Sequence, residues 1–149
     1  MPSDCNAITL STPSHIGIYV KDLNNTIQFF RSMWGIGPWQ IEEYEATRDQ
    51  IIAGPTEPYR VRLAFGNLGE TQLELAEPLE GNSPVSEFVK TTGGGIHHLC
   101  FLVSNWDEMV SRLRGQGSDM YRGGLTNKGT RWCYFKTNPG NIVVEISEK

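Results

Sequence analysis

Two histidines and two glutamates occupy matching positions in the two halves of this 149-residue chain. The segment that starts at His15 (HIGIYVKDL) resembles the one that starts at His98 (HLCFLVSNW), and the run containing Glu74 resembles the run containing Glu145. Imidazole and carboxylate groups are common ligands of divalent metal ions in proteins. A glutamate inside an apolar run is also costly to bury unless it is paired or bound to a metal. These four residues, the candidate ligands, therefore predict one metal site built by an internal repeat.

A metal held by the candidate ligands would leave coordination positions for two adjacent oxygen atoms of a substrate. Such an ion polarises a carbonyl and stabilises an enolate, while a nearby carboxylate removes the proton α to that carbonyl. Glu145 is the first candidate for this base, because a ligand that can leave the metal is already within reach. Epimerisation requires a second acid–base group on the other side of the substrate. Glu74, the repeat partner of Glu145, is the candidate for that group, and Glu57 is a weaker one.

Apolar residues alternate with the candidate ligands, which is the pattern of strands with two different faces. In the first strand the residues at positions 16, 18 and 20 are apolar, so His15 points away from the face that packs on a helix. The same alternation places Glu74, His98 and Glu145 on the corresponding face of their own strands. His97 points the other way and is interpreted as a structural residue.

Each half of the chain predicts a strand, a helix and then further strands. The predicted fold class is α+β: two βαβββ modules, at about 14–79 and 95–148, pair into one curved, barrel-like metal-binding domain that spans 1–149. The first module carries about 12 extra residues, which fall most naturally between positions 37 and 58. A short connecting helix is predicted to begin at Ser83-Pro84, because serine caps helices and proline suits their first turn.

The composition excludes several other functions. Lys and Arg total 13 against 17 Asp and Glu, and the net charge of −4 argues against a nucleic-acid binder, which normally has a basic face. No apolar run approaches the roughly 20 residues that span a bilayer, and the polar start Met1–Thr12 has no signal-peptide pattern. The three cysteines are far apart, so Cys100 and Cys133 are interpreted as small core residues. We expect a cytoplasmic protein that binds neither nucleic acid nor membrane.

Four stretches resemble the vicinal oxygen chelate superfamily, which includes glyoxalase I, methylmalonyl-CoA epimerase, extradiol dioxygenases and bleomycin-resistance proteins. They are HIGIYVKDL from position 15, LELAEPLEGNSP from 73, GIHHLCF from 95 and VEI from 144, and they are most similar to the epimerases. The resemblance implies metal ligands at His15, Glu74, His98 and Glu145 and one divalent ion. Cobalt, nickel, zinc, manganese and iron all suit such a donor set. It also implies a small-molecule substrate, with an acyl-CoA thioester as the candidate, and is compatible with a homodimer.

Arg62 marks a departure from the epimerases that the chain resembles. Those enzymes are thought to use a second carboxylate on the third strand of the first module, and the stretch VRLAF places Arg62 at or near that position. Arginine is always protonated and cannot be a base. If Val61, Leu63 and Phe65 pack on the helix, Arg62 faces the cavity, where it could bind a carboxylate or phosphate of the substrate. A surface arginine at the edge of the barrel is the alternative.

Two further departures from the epimerases concern the segment after the first helix and the end of the chain. The helix-ending turn GIGP is followed by Trp39, which, with Tyr134 or Phe135, is expected to shape the cavity, although packing in the core is the alternative for each. The ending KTNPGNI differs from the epimerase pattern and resembles the glyoxalase and dioxygenase branch.

The leading hypothesis is a divalent-metal-dependent epimerase or isomerase of the methylmalonyl-CoA epimerase type. A glyoxalase I-type lactoylglutathione lyase is the first alternative. The second is a non-catalytic small-molecule binding protein of the same fold, in which the ligand positions tend to be lost. An extradiol dioxygenase is disfavoured, because the resemblance implies three protein ligands on iron for that class and a fourth carboxylate is available here.

Overall fold

The computed structural model describes residues 10–137 and 142–149. The strands in these residues are β1 (His15–Tyr19), β2 (Trp39–Ala46), β3 (Ile51–Ala53), β4 (Tyr59–Leu68), β5 (Thr71–Glu80), β6 (Gly95–Val103), β7 (Met120–Leu125), β8 (Arg131–Thr137) and β9 (Ile142–Glu148). The helices are α1 (Leu23–Trp34), α2 (Pro84–Thr92) and α3 (Trp106–Gly115), and a 3₁₀ turn covers Arg48–Gln50. None of the helices among these residues is both long and apolar enough to cross a membrane.

All nine of these strands belong to one curled sheet, in the order β2-β4-β5-β1-β6-β9-β8-β7-β3. Two equivalent halves meet at its centre, where β1 and β6 run antiparallel to each other. Moving outward from the centre, β1 pairs in parallel with β5, and β6 pairs in parallel with β9. Antiparallel strands then complete each half. The predicted pair of βαβββ modules in one curved sheet is confirmed.

The helices α1 and α3 cover one face of this sheet, which we call the outer face. Leu23 and Ile27 of α1 pack on Ala64 of β4 and Leu75 of β5. The corresponding cluster at α3 consists of Phe101, Val103, Trp106, Met109, Val110, Cys133, Phe135 and Ile146. Burial of these apolar side chains is the main favourable contribution to folding. The opposite, inner face is free of these two helices and carries the cavity.

Local signals in the sequence fix the ends of the first two helices. The side chain of Asp22 accepts a hydrogen bond from the backbone N–H of Asn25 at 3.0 Å, which caps α1. Gly35 ends the helix with φ of 64°, a left-handed conformation that favours glycine. Ser83 caps α2 in the same way, and Pro84 occupies its first turn.

The extra residues of the first module build a link to the second. They form the 3₁₀ turn and the strand β3, in which Ile51 pairs with Gly124 of β7. Contacts between the two ends of the sheet lie nearby: the Tyr44 hydroxyl donates to the Leu125 carbonyl at 2.7 Å, and the Asn127 amide donates to the Glu43 carbonyl at 3.1 Å. The sheet is therefore curled far enough for β2 to contact the chain around β7, which gives it the expected barrel-like form.

Candidate metal centre and cavity

The candidate ligands meet at the centre of the sheet. The Nε2 atom of His15 lies 3.1 Å from Nε2 of His98, 3.4 Å from a carboxylate oxygen of Glu74 and 3.2 Å from one of Glu145. The Nε2 atom of His98 lies 2.8 Å from Glu145 and 3.7 Å from Glu74. All four side chains are buried. Imidazole nitrogens and carboxylate oxygens from strands far apart in sequence thus converge on one point.

The register of the central strands explains this convergence. On β1 and β6, Gly17 lies opposite His98 and His15 lies opposite Cys100. On the neighbouring strands, Glu74 lies beside Gly17 and Glu145 lies beside Cys100. Each half of the repeat therefore contributes one histidine and one glutamate from equivalent positions on its strands.

Gly17 and Cys100 are the two residues at this centre that the sequence reasoning did not recognise. A Cβ atom at Gly17 would lie 2.0 Å from Cε1 of His98, so only glycine leaves room for that imidazole ring. The buried thiol of Cys100 occupies the equivalent place beside His15, close enough to join a His15, Cys100 and Glu145 group. The available signal was the alternation of the strands, which puts positions 17 and 100 on the same face as the two histidines.

The ionisable groups of the centre shift the pKa values of one another. Burial lowers the pKa of His15, but the Glu74 and Glu145 carboxylates outweigh it and hold this pKa well above its usual value. Burial raises the pKa of Glu145, but the imidazoles of His98 and His15 outweigh it and hold this pKa well below its usual value. Burial raises the pKa of Glu74. Two carboxylates in a buried place need nearby positive charge, which protons on the histidines or a metal ion can supply.

The donor set fits a divalent metal ion. Metal bonds to nitrogen and oxygen of about 2.1 Å that meet at right angles place neighbouring donor atoms about 3 Å apart. The donor separations among His15, His98 and Glu145 are 2.8–3.2 Å. His15, Glu74 and His98 also form a group whose donor atoms all lie within 4.8 Å of one another. Mixed imidazole and carboxylate donors suit several first-row metals, so the chemistry of the set does not select one.

A partly open cavity of about 90 Å³ adjoins the centre on the inner face. Glu74 and Glu145 both line it. The rest of its wall consists of Tyr19, Tyr44, Tyr59, Val61, Leu63, Ala76, Pro84, Val85, Trp132 and Tyr134. The wall is therefore aromatic and apolar apart from the two carboxylates and the tyrosine hydroxyls, which suits a small organic ligand with a few oxygen atoms.

Groups beside the candidate ligands hold two of them in place. The Ser147 hydroxyl donates to Oε1 of Glu145 at 3.0 Å, while Oε2 of the same carboxylate faces the histidines. Nδ1 of His97 lies 2.9 Å from Nδ1 of His98. Burial lowers the pKa of His97 to about 3, so this imidazole is neutral. His97 also stacks on Tyr19, with ring centroids 4.2 Å apart, in a packing role.

The prediction that Arg62 faces the cavity is wrong. Its guanidinium lies on the outer face, where Nη2 is 3.3 Å from Oδ1 of Asn24 in α1. Val61 and Leu63, which were expected under the helix, instead line the cavity. Alternation separates the two faces of a strand but does not say which is the inner one. Because both faces of β4 pack against other parts of the protein, its apolar residues did not identify the outer face.

Trp39 and Phe135 also lie on the outer face, so the prediction that they shape the cavity is wrong for both. Trp39 packs beside Phe30 of α1, with ring centroids 6.1 Å apart, and its indole N–H donates to the Ile36 carbonyl at 2.9 Å. Phe135 belongs to the cluster at α3. Tyr134, the third aromatic residue of that prediction, lines the cavity.

Two other predictions from the sequence concern Glu57 as a base and the glyoxalase-like ending of the chain. Glu57, the weaker candidate for a base, is exposed and does not line the cavity. The segment Asn138–Asn141, which carries part of the glyoxalase-like ending, lies outside the described residues.

The fold and the centre together define the class of protein. Residues 14–135 match the Glyoxalase/Bleomycin resistance protein/Dioxygenase superfamily, and the chain belongs to this superfamily. It is 33% identical over 140 residues to human mitochondrial methylmalonyl-CoA epimerase, which covers 91% of this chain and 72% of the human protein. It is 31% identical over 106 residues to the ethylmalonyl-CoA/methylmalonyl-CoA epimerase of Cereibacter sphaeroides, which covers 70% of each chain.

The fold is also similar to the crystal structure of methylmalonyl-CoA epimerase from Mycobacterium tuberculosis. The TM-score is 0.70 at 24% sequence identity, and the similarity covers 96% of this chain and 93% of that one. The chain is an enzyme of the epimerase type within the superfamily.

Proposed function

We propose that this protein is a divalent-metal-dependent epimerase that inverts the carbon α to the carbonyl of an acyl-CoA thioester, with methylmalonyl-CoA as the substrate. The observation that carries the proposal is the pair of buried carboxylates, Glu74 and Glu145, that flank two imidazoles on the wall of one cavity. The human and Cereibacter relatives, which are named as epimerases of such thioesters, support the choice of substrate.

In this proposal His15, Glu74, His98 and Glu145 hold the metal. Once bound, a divalent ion supplies Lewis-acid chemistry, because it polarises the thioester carbonyl and lowers the energy of the enolate. A substrate oxygen must be able to reach the centre for this to happen. The position of both carboxylates on the wall of the open cavity supports such access.

Glu145 is the proposed base that takes the α proton. Its Oε1 atom accepts a hydrogen bond from Ser147, so the carboxylate has a fixed orientation on its β9 strand. Glu74 faces the same centre from β5 at the repeat-equivalent position and is the proposed partner for returning a proton on the other side. Proton removal from one side and return from the other changes the configuration of the α carbon, whereas return from the same side does not.

The test uses the full-length protein reconstituted with one divalent metal at a time. Incubation with methylmalonyl-CoA in heavy water is expected to exchange the α hydrogen and to convert one epimer into the other. Glu145→Gln is expected to lose exchange by about 10²-fold or more, since general-base catalysis contributes that much. Glu148→Gln is the matched control, because Glu148 lies on the same strand but pairs with Arg131.

Failure of the native protein to exchange with any of cobalt, nickel, zinc, manganese or iron, despite measured metal binding, would reject the proposed function. Consumption of thiol–ketoaldehyde adducts under the same conditions would support a glyoxalase-type lyase instead. The cytoplasmic location, the homodimer and the extent of the domain over residues 1–149 stay predictions from the sequence.

A further inference from the structure

The cavity wall carries hydroxyl groups that the proposed chemistry leaves unused. Of the five tyrosines in the chain, four line the cavity: Tyr19, Tyr44, Tyr59 and Tyr134. The Tyr44 hydroxyl donates to the Leu125 carbonyl and accepts from the Trp132 indole, so it has a structural role. No lysine or arginine in the described part of the chain lines this cavity. Tyrosine hydroxyls are therefore its candidate donors to a charged oxygen.

Tyr19 and Tyr134 form a pair beside the metal centre. Their hydroxyls are hydrogen-bonded to each other, and both side chains are almost completely buried. Both rings also contact the His98 ring, with centroids 5.8 and 5.0 Å from it. The pair thus lies beside the candidate ligands on the wall of the same cavity.

One hydroxyl proton of the pair is not used in the hydrogen bond between the two tyrosines. Each hydroxyl carries one proton, and a single hydrogen bond between them uses one of the two. Within residues 10–137 and 142–149, neither hydroxyl has another hydrogen-bonding partner in the protein. The second proton can therefore point into the cavity.

The internal repeat does not provide a second hydroxyl pair on the other side of the centre. With the spacing that relates Glu74 to Glu145, Leu63 is the counterpart of Tyr134, and both residues line the cavity. With the spacing that relates His15 to His98, Leu102 is the counterpart of Tyr19. The metal centre is thus nearly symmetric, but the hydroxyl pair exists on one side only, so it can hold a substrate in one orientation.

We propose that the Tyr19–Tyr134 pair is a hydrogen-bond donor site for the oxygen of the substrate that becomes negatively charged in the reaction. The inference rests on the proposed function, since it assigns a role in that reaction. No covalent bond changes at the pair: one hydroxyl donates to the substrate oxygen, and the other donates to the first and polarises it. A donor that is already oriented on a mostly apolar wall stabilises the enolate more than the neutral thioester.

The test compares an enolate mimic with the substrate. The nitronate of 2-nitropropionyl-CoA is planar and anionic, as the enolate is, and its binding to the metal-loaded protein is measured by calorimetry. Tyr19→Phe and Tyr134→Phe each remove one hydroxyl and keep the ring. We expect one variant to lose about 10²-fold in nitronate affinity and in kcat. The other is expected to lose less than tenfold, and the double variant should match the larger loss.

Controls separate this role from a structural one. Metal content and thioester KM are expected to change less than twofold in both variants. Tyr121→Phe is the matched control, since Tyr121 packs near Tyr134, with ring centroids 6.1 Å apart, but does not line the cavity. Unchanged nitronate affinity in both variants would overturn the inference and leave the proposed function standing, provided that the native protein exchanges the α hydrogen. A native protein that neither exchanges nor binds the nitronate would overturn both.

Discussion

Gly17 lies opposite His98 on the central pair of strands, and the imidazole of His98 fills the space that a side chain at Gly17 would occupy. A Cβ atom there would come within 2.0 Å of the ring. The position of a candidate ligand thus depends on the absence of a side chain on the neighbouring strand, which is a requirement that can be tested directly.

Gly17→Ala is expected to weaken metal binding by about 10- to 100-fold, the range seen when groups that orient metal ligands are lost. The reason is that the His98 ring must rotate or shift to make room for the methyl group. Metal affinity is measured by competition with a chromophoric chelator. Gly115→Ala is the control, because a Cβ atom at Gly115 contacts nothing within 4 Å. Equal metal affinity in the two variants would contradict the steric argument.

Removal of one candidate ligand is expected to abolish stoichiometric metal binding. His98→Ala deletes a donor that lies 2.8 Å from Glu145, and Glu74→Gln replaces a charged oxygen donor by a neutral amide. Metal content after purification and dialysis, measured by mass spectrometry, should fall from about one ion per chain to a small fraction. Glu77→Gln serves as the control, because Glu77 instead accepts a hydrogen bond from the Leu23 N–H at 2.5 Å.

Ser147→Ala is expected to lower kcat by about tenfold while the metal stays bound, since Ser147 orients the Glu145 carboxylate without facing the histidines. Steady-state kinetics and metal analysis of the same preparation check this. Ser147→Thr retains a hydroxyl and should restore most of the activity. A loss of metal in Ser147→Ala would mean that the serine supports ligation and not orientation of the base.

Arg62→Met is expected to leave kcat, KM and metal content within twofold of the native values. Arg62 lies on the outer face, where it contacts Asn24 and not the cavity. The free energy of unfolding should change by about 0.5 kcal/mol or less, as is usual for surface positions. A large rise in KM for the thioester would show that Arg62 reaches the substrate after all.

Alkaline conditions are expected to destabilise the protein through its tyrosines. Burial raises the pKa of all five tyrosines above the usual value of 10.0, and it raises the pKa of Tyr121 to about 12. Above pH 10 the unfolded chain releases tyrosine protons that the folded chain retains, so the free energy of unfolding falls as the pH rises. Below that pH this contribution is fully present.

The measurement is tyrosinate absorbance against pH, together with circular dichroism of the same samples. Tyrosinate should appear late and in step with loss of the folded signal. A gradual titration centred near pH 10, with the folded signal intact, would show that the phenols are accessible.

The sequence predicted the convergence of the four candidate ligands because each part of the argument was local or repeated. His15 and His98 share a strand pattern, Glu74 and Glu145 share another, and alternation alone puts all four on one face. A repeated module then has to bring equivalent positions together about its axis. The capping signal at Ser83-Pro84 is equally local, and it predicted the start of α2.

The cavity wall was harder to predict, because its residues depend on which face of β4 is the inner one. Val61 and Leu63 are apolar on the inner face, and Ala64 packs under the helices on the outer face, so burial alone does not distinguish them. The repeat held the missing information. With the spacing between Glu74 and Glu145, Leu63 corresponds to Tyr134 and Arg62 to Cys133, which would have placed Arg62 outside.

The pairing of β3 with β7 has a consequence for synthesis of the chain on the ribosome. Ile51 needs Gly124 as its partner, so the edge that β3 presents stays open until most of the second module has been translated. The same holds for β1, which is fully flanked only after β6 is made. An unpaired strand edge invites association with other chains. Nascent chains that stop within the second module should therefore be prone to aggregate, whereas completion of β9, which supplies the last partner strand, should remove that hazard.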